Sequence, residues 1–217
     1  MSEVTAIVDY GVGNLFSLTG SLEAIGQKAV VTGDAEEILK ADRVILPGVG
    51  AFSDAREKLR AAGLDTTVRQ AAERGTPLMG ICLGMQMLFE KSYEYGEREG
   101  LGLLKGEVRP IRELLREAGA DPEEELKIPQ MGWNALHILK DSPVLADVRE
   151  GEHVYFVHSY AADGCGDSLI ATAEYGIPVT ACVGKENVWG CQFHPEKSGE
   201  TGLKILRAFC RMKGENV

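Results

Sequence analysis

Cys82 supplies the only polar atom where two apolar runs meet in Pro77-Leu78-Met79-Gly80-Ile81-Cys82-Leu83-Gly84-Met85-Gln86-Met87-Leu88-Phe89. The first run reads as a buried strand and the second as a helix. Gly80 and Gly84 stand two residues to either side of the thiol, giving Gly-x-Cys-x-Gly, the cysteine form of the strand-to-helix turn called a nucleophile elbow. Such a turn is tight and strained, and glycine at the flanking positions removes side chains that would collide. Unpaired N–H groups at the start of the following helix face the sulfur and favour thiolate over thiol. The chemistry this supports is attack of a thiolate on a carbonyl carbon.

A nucleophile of this kind needs a base, and the chain offers His137, His153, His158 and His194. In Val188-Trp189-Gly190-Cys191-Gln192-Phe193-His194-Pro195-Glu196 the proline drives His194 into extended geometry. Residues two apart in an extended segment project to the same side, so His194 and Glu196 share a face. A carboxylate there can hold one imidazole nitrogen while the other addresses sulfur, the logic of a nucleophile, base and orienter. The other three histidines are expected to be structural hydrogen-bonders. Cys165, Cys182, Cys191 and Cys210 have no helix start behind them and are expected to fill apolar space.

The elbow also needs a second donor for a developing oxyanion. Arg43-Val44-Ile45-Leu46 reads as a short strand ended by Pro47-Gly48-Val49-Gly50, where ligands collect in an open α/β sheet. Rotating the peptide that joins Val49 and Gly50 demands an unusual φ only at glycine, so this loop can present or withdraw an N–H. Two other glycine clusters carry no such expectation. Gly11-Val12-Gly13-Asn14-Leu15-Phe16 has phenylalanine where a dinucleotide fingerprint needs its third glycine, and Gly100-Leu101-Gly102-Leu103-Leu104-Lys105-Gly106 lacks phosphate-loop spacing.

Apolar runs and helical patterns alternate in the front half. Residues 4–8, 29–31, 44–46 and 78–81 read as buried strands, and 14–25, 53–62 and 65–74 as helices, a parallel doubly wound arrangement. In the back half 133–139, 154–160, 169–175, 179–183 and 188–193 follow closely, which predicts antiparallel additions. Lys185-Glu186-Asn187 reads as a hairpin turn that delivers His194 to the elbow. Residues 201–212 close the chain as a helix with Leu203, Leu206 and Phe209 inward. The expected fold is therefore an open, doubly wound, mainly parallel α/β sheet with antiparallel additions in the C-terminal half, with 1–217 as one domain.

Composition fits a globular enzyme: 217 residues, 44% apolar and 26% charged. The formal charge of −10 argues against a nucleic-acid partner. No apolar stretch is long enough for a membrane span and Met1-Ser2-Glu3-Val4 lacks a signal-like start, so a cytoplasmic location is expected. Five cysteines without C-x-x-C spacing indicate neither a disulfide framework nor a zinc site, and no metal or cofactor is expected.

Gly80-Ile81-Cys82-Leu83-Gly84-Met85-Gln86 together with Gln192-Phe193-His194-Pro195-Glu196 resembles the class I, triad-type glutamine amidotransferases. Within that family, Asp9-Tyr10-Gly11-Val12-Gly13-Asn14-Leu15, Leu46-Pro47-Gly48-Val49-Gly50-Ala51-Phe52, Met131-Gly132-Trp133-Asn134 and Tyr155-Phe156-Val157-His158-Ser159-Tyr160 are similar to the glutaminase subunits of imidazole glycerol phosphate synthase. The resemblance runs from the first strand to the last helix. It implies hydrolysis of the glutamine side-chain amide, with ammonia passing to a cyclase subunit of (β/α)₈ barrel type in a heterodimer of histidine biosynthesis. Carried over by position, Cys82 forms the glutamyl thioester, His194 is the acid/base and Glu196 its orienter. Gln86, Ser159 and Tyr160 fall where the glutamine is gripped. The Leu83 N–H and the peptide between Val49 and Gly50 fall at the oxyanion hole. Asn14, Met131, Gly132 and Trp133 fall near the partner, where a large aromatic suits an interface.

Two features depart from the family pattern. Residues 111–126 are an enlarged, charge-rich surface excursion, and Gln130 stands where the family more often has histidine. Two other readings are a glutaminase serving another synthase, of anthranilate or pyridoxal phosphate type, and a non-catalytic regulatory scaffold. Gly132-Trp133-Asn134 argues against the first and the complete Cys82, His194 and Glu196 set against the second.

Overall fold

The computed structural model describes residues 3–120 and 126–214. In chain order the strands and helices are β1 (Val4–Val8), α1 (Leu15–Ala24), β2 (Lys28–Thr32), α2 (Ala35–Lys40), β3 (Arg43–Leu46), α3 (Phe52–Ala61), α4 (Leu64–Glu73), β4 (Leu78–Ile81), α5 (Leu83–Met87), β5 (Lys91–Ser92), β6 (Arg98–Glu99), β7 (Glu107–Pro110), α6 (Ile111–Glu117), β8 (Gln130–Ile138), β9 (His153–His158), β10 (Tyr160–Asp163), β11 (Leu169–Glu174), β12 (Pro178–Lys185), β13 (Val188–Cys191) and α7 (Gly199–Cys210).

The main sheet has nine strands in the order β2-β1-β3-β4-β13-β12-β11-β8-β9. The pairs from β2 through β13 are parallel and the remainder antiparallel, as the alternation of patterns predicts. Apart from the edge strand β2, the strands of the parallel half are buried on both faces, which is why they read as continuous apolar runs without alternation. Phe52, Leu59, Val68 and Met85 pack on one face; Leu18, Leu22, Phe193, Leu206 and Phe209 pack on the other. No helix among the described residues is long and apolar enough to cross a membrane.

The key placement is β13. It lies beside β4 in parallel, with Cys191 opposite Ile81, and the Cys82 N–H donates to the Cys191 carbonyl oxygen at 2.7 Å. The chain therefore leaves the C-terminal ends of two neighbouring strands carrying Cys82 on one and His194 on the other. β3 flanks β4 on its other side with Leu46 opposite Gly80, so the Pro47 to Gly50 loop emerges there too. Three loops converge at one sheet edge, where open α/β folds hold ligands. The two-residue turn Glu186-Asn187, with Lys185 paired to Val188 and Glu186 left-handed at φ 54°, closes the expected hairpin.

Several expectations change. Residues 154–160 are not one strand: the chain breaks at Ser159, and β10 leaves the main sheet for a four-stranded one ordered β10-β7-β5-β6. Residues 111–126 are not simply a solvated excursion, because α6 buries Ile111 and Leu115 against Ala161 and Val179; the acidic run at 121–125 lies outside the described residues. In α7 Ile205, Leu206 and Phe209 are buried while Leu203 is only half-buried. The helix α2 was not expected; Asp34 caps it by accepting from the backbone N–H groups of Glu36 at 2.8 Å and Glu37 at 3.0 Å.

Candidate active site

Cys82 has φ 53° and ψ −112°, a left-handed-side conformation that costs a non-glycine residue about 1–3 kcal/mol. The flanking glycines are required by close approach. A Cβ on Gly80 would stand 2.7 Å from the Gly84 carbonyl oxygen, and one on Gly84 only 1.9 Å from the Leu46 carbonyl oxygen. Gly84→Ala is therefore expected to lower stability by about 1–3 kcal/mol through overpacking, read as a fall in the thermal midpoint. The helix behind the thiol, α5, has five residues, so its dipole is small. The anion-favouring element is local instead: the first-turn N–H groups, Leu83 among them, have no acceptor within the helix.

His194 is 2% exposed. Its Nδ1 lies 2.8 Å from Glu196 Oε1, and the Glu196 side chain is itself 3% exposed. The histidine backbone is tied on both sides, its N–H donating to the Tyr155 carbonyl oxygen at 3.0 Å and its carbonyl oxygen accepting from Ser198 Oγ at 2.6 Å. Burial opposes protonation of His194, but hydrogen bonds and opposite charge from Cys82 and Glu196 outweigh it and push the pKa up to about 9. A raised folded-state pKa gives a stability contribution fully present below the unfolded value near 6.5 and lost as pH rises through about 9. Removing the sulfur by Cys82→Ala is expected to lower the pH at which His194 titrates, followed by the NMR shift of its ring Cε1–H; an unmoved titration would show that the two groups are not coupled.

Cys82 and His194 open on a cleft of about 370 Å³ that also exposes Val49, Leu83, Gln86, Ser159 and Tyr160. All the residues expected at the thiol, the oxyanion position and the glutamine grip thus border one cavity, apart from Glu196, which stands behind His194. Gly48 packs against the elbow, since a Cβ there would meet the Gly84 backbone nitrogen at 2.8 Å. Tyr10 fixes the same loop by donating to the Pro47 carbonyl oxygen at 2.7 Å. Gly50 has φ +89°, with no atom within 4 Å of a Cβ built on it.

Five residues of the cleft wall escaped the sequence reading: Glu94, Tyr95, Pro129, Val157 and His158. Glu94 borders the cavity, buried, accepting from the Phe52 N–H at 2.5 Å; burial raises its pKa, opposed by that bond. It follows no motif, and its one signal is a carboxylate between two tyrosines, Tyr93 and Tyr95. Tyr95 and Pro129 stand at the rim. His158, expected to be structural, lines the wall with Nδ1 2.8 Å from the Tyr160 carbonyl oxygen, and burial pushes its pKa down to about 4, with the charge of His194 adding to this. It stays neutral. Gln130, the departure noted above, is fully buried, its amide 3.0 Å from His158 Nε2 on one side and 3.0 Å from Asn134 Oδ1 on the other. His137 pairs with Glu150 at the surface and His153 is exposed, both away from the cleft.

The glutamine amidotransferase class-I family model matches residues 6–212. The chain belongs to the class I glutamine amidotransferases. It is 50% identical over 210 residues to the imidazole glycerol phosphate synthase subunit HisH of Bacillus velezensis, covering 96% of both chains. It is 51% identical over 204 residues to the HisH subunit of Lactococcus lactis, covering 94% of this chain and 96% of that one. Among solved structures, a glutamine amidotransferase superposes with TM-score 0.71 at 19% identity over 94% of this chain and 96% of its own. PurLQS from Thermotoga maritima gives 0.68 at 22% identity, over 96% and 98%. The shared α/β fold with its large mixed sheet is thus that of class I amidotransferases.

The residues expected near a partner lie on β8, where Met131 and Trp133 share one side and Gly132 stands between them, and just before α1, where Asn14 stands. Met131 is 63% and Trp133 54% exposed, unusual for large apolar side chains on a regular strand. Trp133 meets Tyr155 of β9 edge-on at 6.0 Å, and Tyr155 is the residue whose carbonyl holds the His194 N–H. Asn14 precedes α1 without capping it through its side chain, and Phe16 beside it is 91% exposed.

Proposed function

We propose that residues 1–217 form one cytoplasmic glutaminase domain that hydrolyses glutamine to glutamate and ammonia for imidazole glycerol phosphate synthesis, with a barrel-type cyclase as its partner. The observation that carries this reading is identity near 50% to HisH subunits over almost the whole of both chains. A thiolate on Cys82 attacks the glutamine amide carbon, the S–C bond forming as C–N breaks, and His194 gives its proton to the departing nitrogen. Water then attacks the thioester, passes a proton to His194, and the electron pair of the C–S bond returns to sulfur. Glu196 holds the ring in one orientation and stabilises its charge. The Leu83 N–H and the peptide joining Val49 and Gly50 meet the oxyanion. The free oxygen of Glu94 suits the α-ammonium of glutamine. Gln86 can offer only its Oε1, because its Nε2 is used by Tyr160 and Gln192. No group of three or more His, Cys, Asp or Glu side chains among the described residues is placed to hold a metal, and no step here calls for one.

The test uses glutamine labelled with nitrogen-15 at the side-chain amide, the full chain and a cyclase with its nucleotide substrate. Label in the imidazole product is expected. Label delivered only to the product of a different synthase would overturn the assignment.

A further inference from the structure

Two side-chain amides at this site, Gln86 and Gln192, have their orientations fixed by their neighbours. The Tyr160 carbonyl oxygen can only accept, so the Gln86 terminal atom 3.0 Å from it must be Nε2. That same nitrogen is 3.0 Å from the Gln192 side chain and has a second hydrogen to give, so Gln192 must present Oε1 to it. The Gln192 Nε2 is then forced to the opposite side, 3.8 Å from Cys82 Sγ, a hydrogen-bonding distance for sulfur. An amide nitrogen donates and does not accept, so sulfur is the acceptor. Gln192 is fully buried, and its backbone N–H is locked to the Ala181 carbonyl oxygen at 2.9 Å. A donor aimed at an anion where water is excluded counts for more than one in solvent.

We propose that Gln192 is a catalytic residue that stabilises the Cys82 thiolate through its amide N–H, with Gln86 as the positioning residue that decides which way this amide points. The proposal rests on the thiolate chemistry set out above. It assigns Gln192 a defined place in the cycle. As the S–C bond forms, sulfur loses its charge and the contact weakens; as the thioester breaks, the electron pair returns to sulfur and meets a waiting donor. Gln192 therefore assists departure of the thiolate more than its attack. Gln86 acquires a second duty besides bordering the substrate cleft.

The test is alkylation of Cys82 by iodoacetamide across pH, on the full chain, with Cys82→Ala as the blank that subtracts the four other cysteines. Gln192→Met removes the donor without adding charge. Gln192→Glu keeps an acceptor for Gln86 and therefore preserves the rest of the chain of bonds. In both, the pH of half-maximal alkylation is expected to rise by about one unit or more, which is about tenfold slower reaction well below that pH. A Gln192→Glu protein with native circular dichroism and an unmoved midpoint would overturn the proposal, whether or not the methionine variant folds. Equal alkylation of wild type and Cys82→Ala would instead sink the thiolate chemistry itself, so the two failures are distinguishable.

Discussion

Cys82→Ala is expected to abolish glutamine hydrolysis, by roughly 10⁶-fold in turnover on the scale seen when a triad nucleophile is removed, while the complex continues to use added ammonium salt. The reason lies in the division of labour. On the proposed mechanism the thiol acts only in releasing nitrogen, and the cleft that holds it is lined by no other thiol: the remaining four cysteines are buried in the body of the fold. Substituting alanine also removes the strain that a thiol-bearing side chain carries at φ 53° only in part, since alanine keeps a Cβ in the same left-handed-side conformation. The variant should therefore fold much as wild type does, and a loss of ammonia-dependent turnover along with glutamine-dependent turnover would show that Cys82 has a structural duty at the partner contact. Retained glutamine-dependent turnover would remove Cys82 from the mechanism. Both are measured in one assay by varying the nitrogen source.

The elbow could be found in the sequence because its constraints are local. Gly-x-Cys-x-Gly encodes a turn whose collisions are decided within five residues, and the strand before it, Leu78–Ile81, was legible to the residue because it is bounded by proline and by the turn itself. His-Pro-Glu was legible for the same reason, the proline setting the backbone that puts His194 and Glu196 on one side. What brings these two segments together was not local. Nothing in the order of strands says that β13, arriving after four antiparallel neighbours, inserts beside β4 rather than at an edge. The hairpin turn read at Lys185-Glu186-Asn187 directs His194 toward the elbow without saying which strand β13 joins.

The small sheet was hidden because β5 and β6 have two residues each, too short for any alternation to register. With it went Glu94, whose position is set by the segment between β5 and β6 and by its bond to the Phe52 N–H at the start of α3, not by any spacing within the chain. The break at Ser159 was hidden in another way. Tyr155 to Tyr160 is uniformly apolar and aromatic apart from His158 and Ser159, so pattern alone extends the strand, whereas the chain turns away there and places His158, Ser159 and Tyr160 along the cleft wall. Helix α2 is six residues long and amphipathic over less than two turns, and its cap at Asp34 was the only available mark.

The chain alone is expected to be a poor glutaminase, and binding the cyclase with its nucleotide ligand is expected to raise turnover by about 10²–10³, the effect of supplying one missing oxyanion donor. The loop proposed to complete the oxyanion hole has the physical means to act as a switch. Gly50 holds φ +89°, a conformation open to glycine and strained for other residues, and nothing lies within 4 Å of where its Cβ would be, so the peptide before it has room to rotate. Val49 is 40% exposed at the rim, available to contact a partner. A second route leads inward from β8, the strand expected to face the partner: Trp133 packs on Tyr155, and the Tyr155 carbonyl oxygen holds the His194 backbone. Both routes end within the cleft, but they predict different variants. If the peptide is the switch, Gly50→Ala, which penalises positive φ, should change the rate of the free chain and shrink the activation by the cyclase in the same protein. If the strand is the switch, Trp133→Ala should lose activation while leaving the free chain as it was. Equal steady-state rates for the chain alone, with cyclase, and with cyclase plus nucleotide would mean that the oxyanion hole is permanently formed and that neither route is used.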